Sequence, residues 1–236
     1  MFSEHLHINR ETSAQLFELP KEMIDYLWEC IDVAKKKKIC HKKNLAGNIS
    51  HSYKLEDPQK MIERNLMNIL KQQAQQYINK EIFKVFNRAI GKSSHSKIPE
   101  PYLSNLWVNF QKKGEFQPIH SHSGLFSFVI WMDIPYHWKD EAKLPFAKSN
   151  NKEPHGGNFC FVYSTGETRV ISDYIIRLSP EMNGYCCFFP SDLSHMVYPF
   201  HTSDKDRISI SGNIVFEMED SSEQRSQQFP FIVSNT

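Results

Sequence analysis

Residues 107–131 read WVNFQKKGEFQPIHSHSGLFSFVIW. Two runs rich in aromatic and β-branched residues, both strand-like, flank His120 and His122. In extended backbone, residues i and i+2 project to the same face, so both imidazoles can converge on one point. Working outward from this pair, the next candidate partner is His195. The run YCCFF (185–189) ends at Pro190, turns through Ser191 and Asp192, and enters a new strand at His195. Arg207 follows twelve positions later, at the head of RISISGNIVF. Alternation places Arg207, Ser209 and Ser211 on one face of that strand and Ile208 and Ile210 on the other. An arginine inside an otherwise apolar β domain needs an anion to neutralise it. Its planar fork suits a carboxylate held by two hydrogen bonds. The plainer reading of Arg207 is a structural ion pair with Asp204 or Asp206.

At 236 residues, with 40% apolar and 13% aromatic residues, the chain is long enough to bury one sizeable core. Lys plus Arg (28) nearly balance Asp plus Glu (27), so no global charge points to nucleic acid or a membrane surface. The start, MFSEHLHINR, lacks the pattern of a secretory signal, and no apolar run reaches membrane-span length. A cytoplasmic location is expected. The five cysteines (30, 40, 160, 186, 187) form neither a disulfide framework nor a CxxC knuckle. Cys186 and Cys187 should point to opposite faces of one strand as small core fillers.

Over 21–38, Ile24, Leu27, Ile31 and Ala34 recur at three- and four-residue steps, the mark of an amphipathic helix. Lys35 to Lys38 complement the negative end of its dipole. Residues 39–57 are loop-like, and Asp57-Pro58 opens a second helix to about 80, with Ile62, Leu66, Ile69 and Tyr77 as its buried stripe. GKSSHSKIPEP (91–101) breaks the helical pattern. From Tyr102 the periodicity shortens, and strands are expected near 103–110, 116–121, 125–134, 158–163, 168–172, 174–178, 185–189, 195–199 and 207–216. Turns come from Thr165-Gly166, Ser179-Pro180 with Gly184, and Pro190-Ser191-Asp192. Many short strands after a helical start argue a mainly β, α+β chain built as a sandwich or double-sheet jelly roll. Residues 1–100 would be mainly helical support, 101–217 the β core, and 218–236 a polar tail. The charged insertion 135–157 has the length of a functional lid. His137, His155 and His201 lie off the pattern, and Trp107, Phe110, Phe126, Phe128 and Trp131 are expected mostly in the core.

Four segments taken together, NFQKKGEFQPIHSHSGLFSFVIW, GNFCFVYS, FFPSDLSHMVYPF and RISISGNIVF, resemble the iron(II)/2-oxoglutarate-dependent dioxygenases. They are most similar to the prolyl-hydroxylase-like members found in marine phages and bacteria. LAGNIS and SYKLED (45–57) resemble the N-terminal part of the phage-type members. The resemblance implies a double-stranded β-helix, a jelly roll, with N-terminal helices packed on it. It implies Fe(II), 2-oxoglutarate and O2, with hydroxylation of a peptidyl or small-molecule substrate and release of succinate and CO2. It gives His120, His122 and His195 as metal ligands, Arg207 as the clamp on the distal carboxylate of 2-oxoglutarate, Ser209 as its hydroxyl partner and Asn109 as a further polar contact.

The family's usual carboxylate is missing, because position 122 is His. A three-histidine site is chemically reasonable, since neutral imidazole suits iron. Alternatively His122 alone opens the motif and Gly124 stands at the vacant ligand position, the halogenase-like arrangement. As a third arrangement, Asp192 or Asp133 reaches in. From a different class, the chain would be a non-catalytic jelly-roll binding or structural protein, or a cupin-like metal protein without 2-oxoglutarate. Nothing in the sequence points to a particular oligomeric state.

Overall fold

Two aromatic-rich strands carry the architecture, and their alternation shows why two layers form. The computed structural model describes residues 3–8, 13–42, 45–69, 72, 101–147, 154–165 and 170–216. Along β6 (Phe126–Asp133), Phe126, Phe128, Ile130 and Met132 belong to one buried cluster, while Val129 and Trp131 belong to another. The same division runs through β9 (Tyr185–Pro190), where Cys186 and Cys187 are fully buried on opposite sides. A strand buried on both faces lies between two packed layers.

The larger sheet has seven antiparallel strands in the order β1-β2-β9-β6-β11-β4-β3. Besides β6 and β9 it contains β1 (Ser3–His7), β2 (Ser13–Glu18), β3 (His51–Lys54), β4 (Pro101–Gln111) and β11 (Arg207–Phe216). The smaller sheet runs β5-β10-β7-β8, built from β5 (Gln117–His120), β10 (His195–Val197), β7 (Phe159–Thr165) and β8 (Val170–Ile176). Trp131 against Phe159 and Phe161 against Phe189 join the two sheets across the inner cluster, with ring centroids 6.0 and 5.1 Å apart. Helix α1 (Lys21–Lys37) covers the outer face of the larger sheet with Met23, Tyr26, Leu27, Cys30, Ile31 and Ala34. Burying a side chain of this kind is worth roughly 1.5–3 kcal/mol before the entropy of ordering it.

The expected helix at 21–38 forms, ending where Lys38 turns left-handed. The second begins later than Asp57-Pro58 suggests, because Lys60 takes a positive φ. Asp57 still caps it, accepting from the Met61 backbone N–H at 2.9 Å. Ile62–Leu66 is wound as π-helix, and both end residues are fully buried. The strands expected at 168–172 and 174–178 are one continuous β8, since Asp173 pairs with Val162 without a break. Three strands, β1 to β3, come from the part read as helical support. Their apolar content is low, and long-range pairing with β9 and β4 supplies what local pattern lacks. No described helix is long and apolar enough to cross a membrane. Tyr77, the 91–100 breaker, Gly166 and the 218–236 tail lie outside the described residues.

Candidate metal centre and its anion pocket

Two turns and one strand register assemble the three histidines. His195 on β10 pairs directly with His120 on β5, and on its other side with Phe161 of β7. Leu193 N–H bonds back to the Pro190 carbonyl at 3.1 Å, closing the turn that the Pro-Ser-Asp sequence predicts. The Ser191 carbonyl in that turn accepts from the His122 backbone N–H at 2.8 Å, tying the two histidine segments together. Ser191 is also held from below, its hydroxyl 3.0 Å from that of Ser127, which donates to Asn213 Oδ1 at 2.9 Å.

The ring centroids of His120, His122 and His195 are 5.0, 4.3 and 5.1 Å apart in pairs. One ligand atom from each lies within 4.8 Å of the others. His120 Nδ1 is 2.8 Å from the Pro118 carbonyl and His195 Nδ1 is 2.9 Å from the Leu193 carbonyl. A carbonyl only accepts, so in both rings Nδ1 carries the proton and Nε2 is left bare as a ligand. Phe159 stacks on His195 at 5.4 Å and Phe189 meets it edge-on at 4.9 Å, fixing the ring's orientation. Burial lowers the basicity of all three imidazoles. It takes His195 well below the ordinary histidine value, and, with the charge of His120, takes His122 down to about 4. Neutral imidazoles at neutral pH are the state a metal requires.

Among the described residues, no carboxylate joins this group. Asp192 is exposed, and Asp133 is outside the residues that line the cavity. Gly124 has φ +124°, and a Cβ there would meet the Ile214 carbonyl, Val215 and Ser191 rather than an imidazole. The donor set present is three neutral nitrogens on one side of a cavity, which suits a first-row divalent ion such as iron(II).

The opposite wall comes from the β4–β11 ladder. Arg207 pairs with Gln111, Ser209 with Asn109 and Ser211 with Trp107, and all six line the same cavity as the histidines. Arg207 is 2% exposed. Its Nη1 donates to the Tyr136 hydroxyl and, at 2.8 Å, to the Gly157 carbonyl. Its Nη2 donates to Gln111 Oε1 at 2.6 Å and, at 3.4 Å, to the Tyr198 carbonyl. Every one of these acceptors is neutral. Asp204 instead meets Lys113 at the surface, at 3.1 Å, so the expected alternative of an Arg207 ion pair with it does not form. Tyr136 donates in turn to the Gly157 carbonyl, and burial pushes its hydroxyl up to about 12, leaving it a neutral phenol beside the cation. Two buried polar atoms in the cavity wall lack a hydrogen-bond partner, Asn109 Oδ1 and Trp107 Nε1. The indole N–H can donate to a guest and the amide oxygen can accept from one, so the wall beside the buried guanidinium suits a polar guest.

Tyr136 and Gln111 were not legible as site residues, and Trp107 was expected mostly in the core. Gln111 shares its strand face with Asn109, which is the one signal that could have found it. Trp107 is core by burial yet lines the cavity, its ring between His122 at 6.0 Å and the stacked ring of His41 at 4.8 Å. Tyr136 and Gly157 bracket the 135–157 insertion, and its described parts are docked rather than loose. Helix α2 (Trp138–Glu141) is capped by His137 Nδ1, which accepts from the Lys139 N–H at 3.1 Å. Buried Glu141 accepts from the backbone N–H groups of His201 and Thr202, at 2.8 and 2.7 Å.

The three imidazoles and the buried arginine line one cavity, an arrangement able to hold a metal ion together with an anionic co-ligand. Residues 105–213 match the family described as "Putative 2OG-Fe(II) oxygenase". The matched segment spans a little under half of the chain and contains His120, His122, His195 and Arg207. Among solved structures, the chain is similar to a 2OG-Fe(II) oxygenase family oxidoreductase from Burkholderia pseudomallei at 15% identity, over 51% of this chain and 47% of that one, with a TM-score of 0.34. It is also similar to a prolyl-4-hydroxylase from Pseudomonas putida at 14% identity, over 88% of this chain and 93% of that one, with a TM-score of 0.49. No curated protein matches it.

Proposed function

We propose that the chain is an Fe(II)- and 2-oxoglutarate-dependent dioxygenase of double-stranded β-helix fold that hydroxylates a peptidyl or small-molecule substrate. The observation that carries this reading is a buried guanidinium with only neutral partners, in the same cavity as three metal-competent imidazoles. His120, His122 and His195 would hold iron(II). Held there, iron(II) with 2-oxoglutarate would supply oxygen activation coupled to oxidative decarboxylation to succinate and CO2.

What the chain itself contributes follows from its residues. Arg207 receives the distal carboxylate of the co-substrate in a charge-assisted pair, with the Ser209 hydroxyl on the same strand face. The neutral Tyr136 hydroxyl keeps its proton for donation and holds the guanidinium in place. Asn109 and Trp107 present unpartnered polar atoms to the molecules bound between the two walls. The aromatic shell of Phe159, Phe189 and Trp131 keeps water from the imidazoles. A carboxylate-free ligand set leaves the metal's full charge to be balanced by the anionic co-substrate, so metal and co-substrate binding should reinforce each other.

The test is anaerobic titration of metal-free protein with Fe(II) and 2-oxoglutarate, followed by succinate release in air. Arg207→Ala should weaken 2-oxoglutarate binding by on the order of 2–5 kcal/mol, the usual cost of removing one partner of a buried charge pair, while metal uptake persists. Equal 2-oxoglutarate affinity in wild type and Arg207→Ala would refute the proposal. Absence of iron uptake, or of succinate with any peptide or small-molecule panel, would favour a non-catalytic binding protein.

A further inference from the structure

A second group of metal-ligating side chains lies on the other face of the smaller sheet. On β7, Phe161 faces inward toward His195 at 6.4 Å, so its neighbour Cys160 projects outward. There Cys160 meets Asp173 of β8 and His155 of the segment leading into β7, and their three ligand atoms lie within 4.8 Å of one another. His155 Nε2 is 2.5 Å from Asp173 Oδ2, and Cys160 Sγ is 3.8 Å from the same oxygen. The sulfur is buried, and its hydrogen bonds are long and weak, the other being to the Phe161 carbonyl at 3.5 Å. Asp173 keeps 44% of its side chain exposed, which gives an ion a way in from solvent. The Tyr198 ring packs on His155 at 5.1 Å and orients it.

We propose that His155, Cys160 and Asp173 form a second metal site that takes a borderline-soft divalent cation of the zinc type, distinct from the three-histidine centre. One imidazole, one thiolate and one carboxylate match the ligand preference of zinc, and three protein ligands leave a fourth position for water. Ligand atoms around tetrahedral zinc stand roughly 3.3–3.8 Å apart, given bond lengths of about 2.0–2.3 Å. The sulfur–carboxylate spacing is already there. The imidazole–carboxylate pair must open by about 1 Å, which rotation of the part-exposed Asp173 side chain can supply. Uptake of M2+ by the neutral thiol forms the metal–sulfur bond, breaks the S–H bond and releases one proton to solvent.

The position gives the site a structural consequence. His155 accepts at its carbonyl from Asn158 N–H, 3.0 Å, closing the turn around Gly157 whose carbonyl receives Arg207. A cation on His155 therefore anchors the turn against which the arginine is set.

Cobalt(II) added to chelator-stripped protein tests this, because a thiolate ligand gives a charge-transfer band that imidazole does not. Wild type should bind two equivalents and show the band. Cys160→Ser should bind one and lose the band. The double variant His120→Ala/His122→Ala should keep the band, and Asp173→Asn, at a partly exposed position, should weaken the band-forming site at least about tenfold. No band in the wild type, a band that survives Cys160→Ser, or undiminished affinity in Asp173→Asn overturns the proposal. The last of these applies even if Cys160→Ser fails to fold.

Discussion

At the scale of single residues, the chemistry rests on where burial leaves charge. The three imidazoles are held neutral by desolvation, whereas the Arg207 guanidinium is held by carbonyls and a hydroxyl. This has a consequence for stability. The folded, metal-free protein keeps His122 neutral down to about 4, while an unfolded chain takes up that proton near the ordinary value of 6.5. Below that value the unfolded state binds more protons, so stability is intact near neutral pH and is lost as pH falls. Each imidazole adds a slope of roughly 1.4 kcal/mol per pH unit across its window. Denaturant midpoints of metal-free protein between about pH 7.5 and about pH 5 should show this steep acid loss. His122→Gln should flatten it by about one proton, and an identical slope in the variant would remove His122 from the account.

Among the elements, the 135–157 insertion matters through its two ends. Helix α2 has only four residues, too few to be stable alone, and it persists because Glu141 reaches the loop between β10 and β11. That carboxylate is 1% exposed, and it accepts also from the Thr202 hydroxyl at 2.5 Å. Hydrogen bonds to a buried charge of this kind contribute about 1.5–3 kcal/mol each at most. Glu141→Gln keeps the shape but cannot accept as strongly from three donors, so it should destabilise by roughly 2–3 kcal/mol. Because Tyr136 and Gly157 flank the same insertion, the variant should also raise the KM for 2-oxoglutarate more than it lowers kcat. A stability loss below about 0.5 kcal/mol would mean that the insertion is held by something else.

For the whole molecule, two clusters on opposite faces of the seven-stranded sheet divide the labour. The outer cluster, with α1, is apolar throughout and supplies stability; the inner one opens at one end into the polar cavity. On the proposed reading, an ion held by the three histidines binds the native state and not the unfolded chain, so it should raise thermal stability by mass action. At a free metal concentration about a hundred times Kd the gain is about 2.7 kcal/mol. Melts with and without Mn(II), a redox-stable stand-in for iron(II), check this. An unshifted midpoint in the wild type, or an equal shift in His120→Ala/His195→Ala, would show that the three histidines do not hold the ion.

The sequence alone determined the β-rich core, because strand alternation and turn chemistry are local. HSH, the third histidine after Pro-Ser-Asp, and Arg-x-Ser-x-Ser are likewise short enough to read in one dimension. The α1 stripe and the opposite burial of Cys186 and Cys187 follow from periodicity in the same way. What the fold alone decided is who meets whom. Strand register set His120 beside His195 and Arg207 beside Gln111, and no local pattern encodes a register between strands far apart in sequence. The neutral partners of Arg207, the unpaired indole of Trp107, and the outward convergence of His155 on Cys160 and Asp173 all arise from long-range packing. Their physical cause is burial, which makes an unpaired polar atom costly and a shared cavity decisive, and burial is a property of the folded molecule.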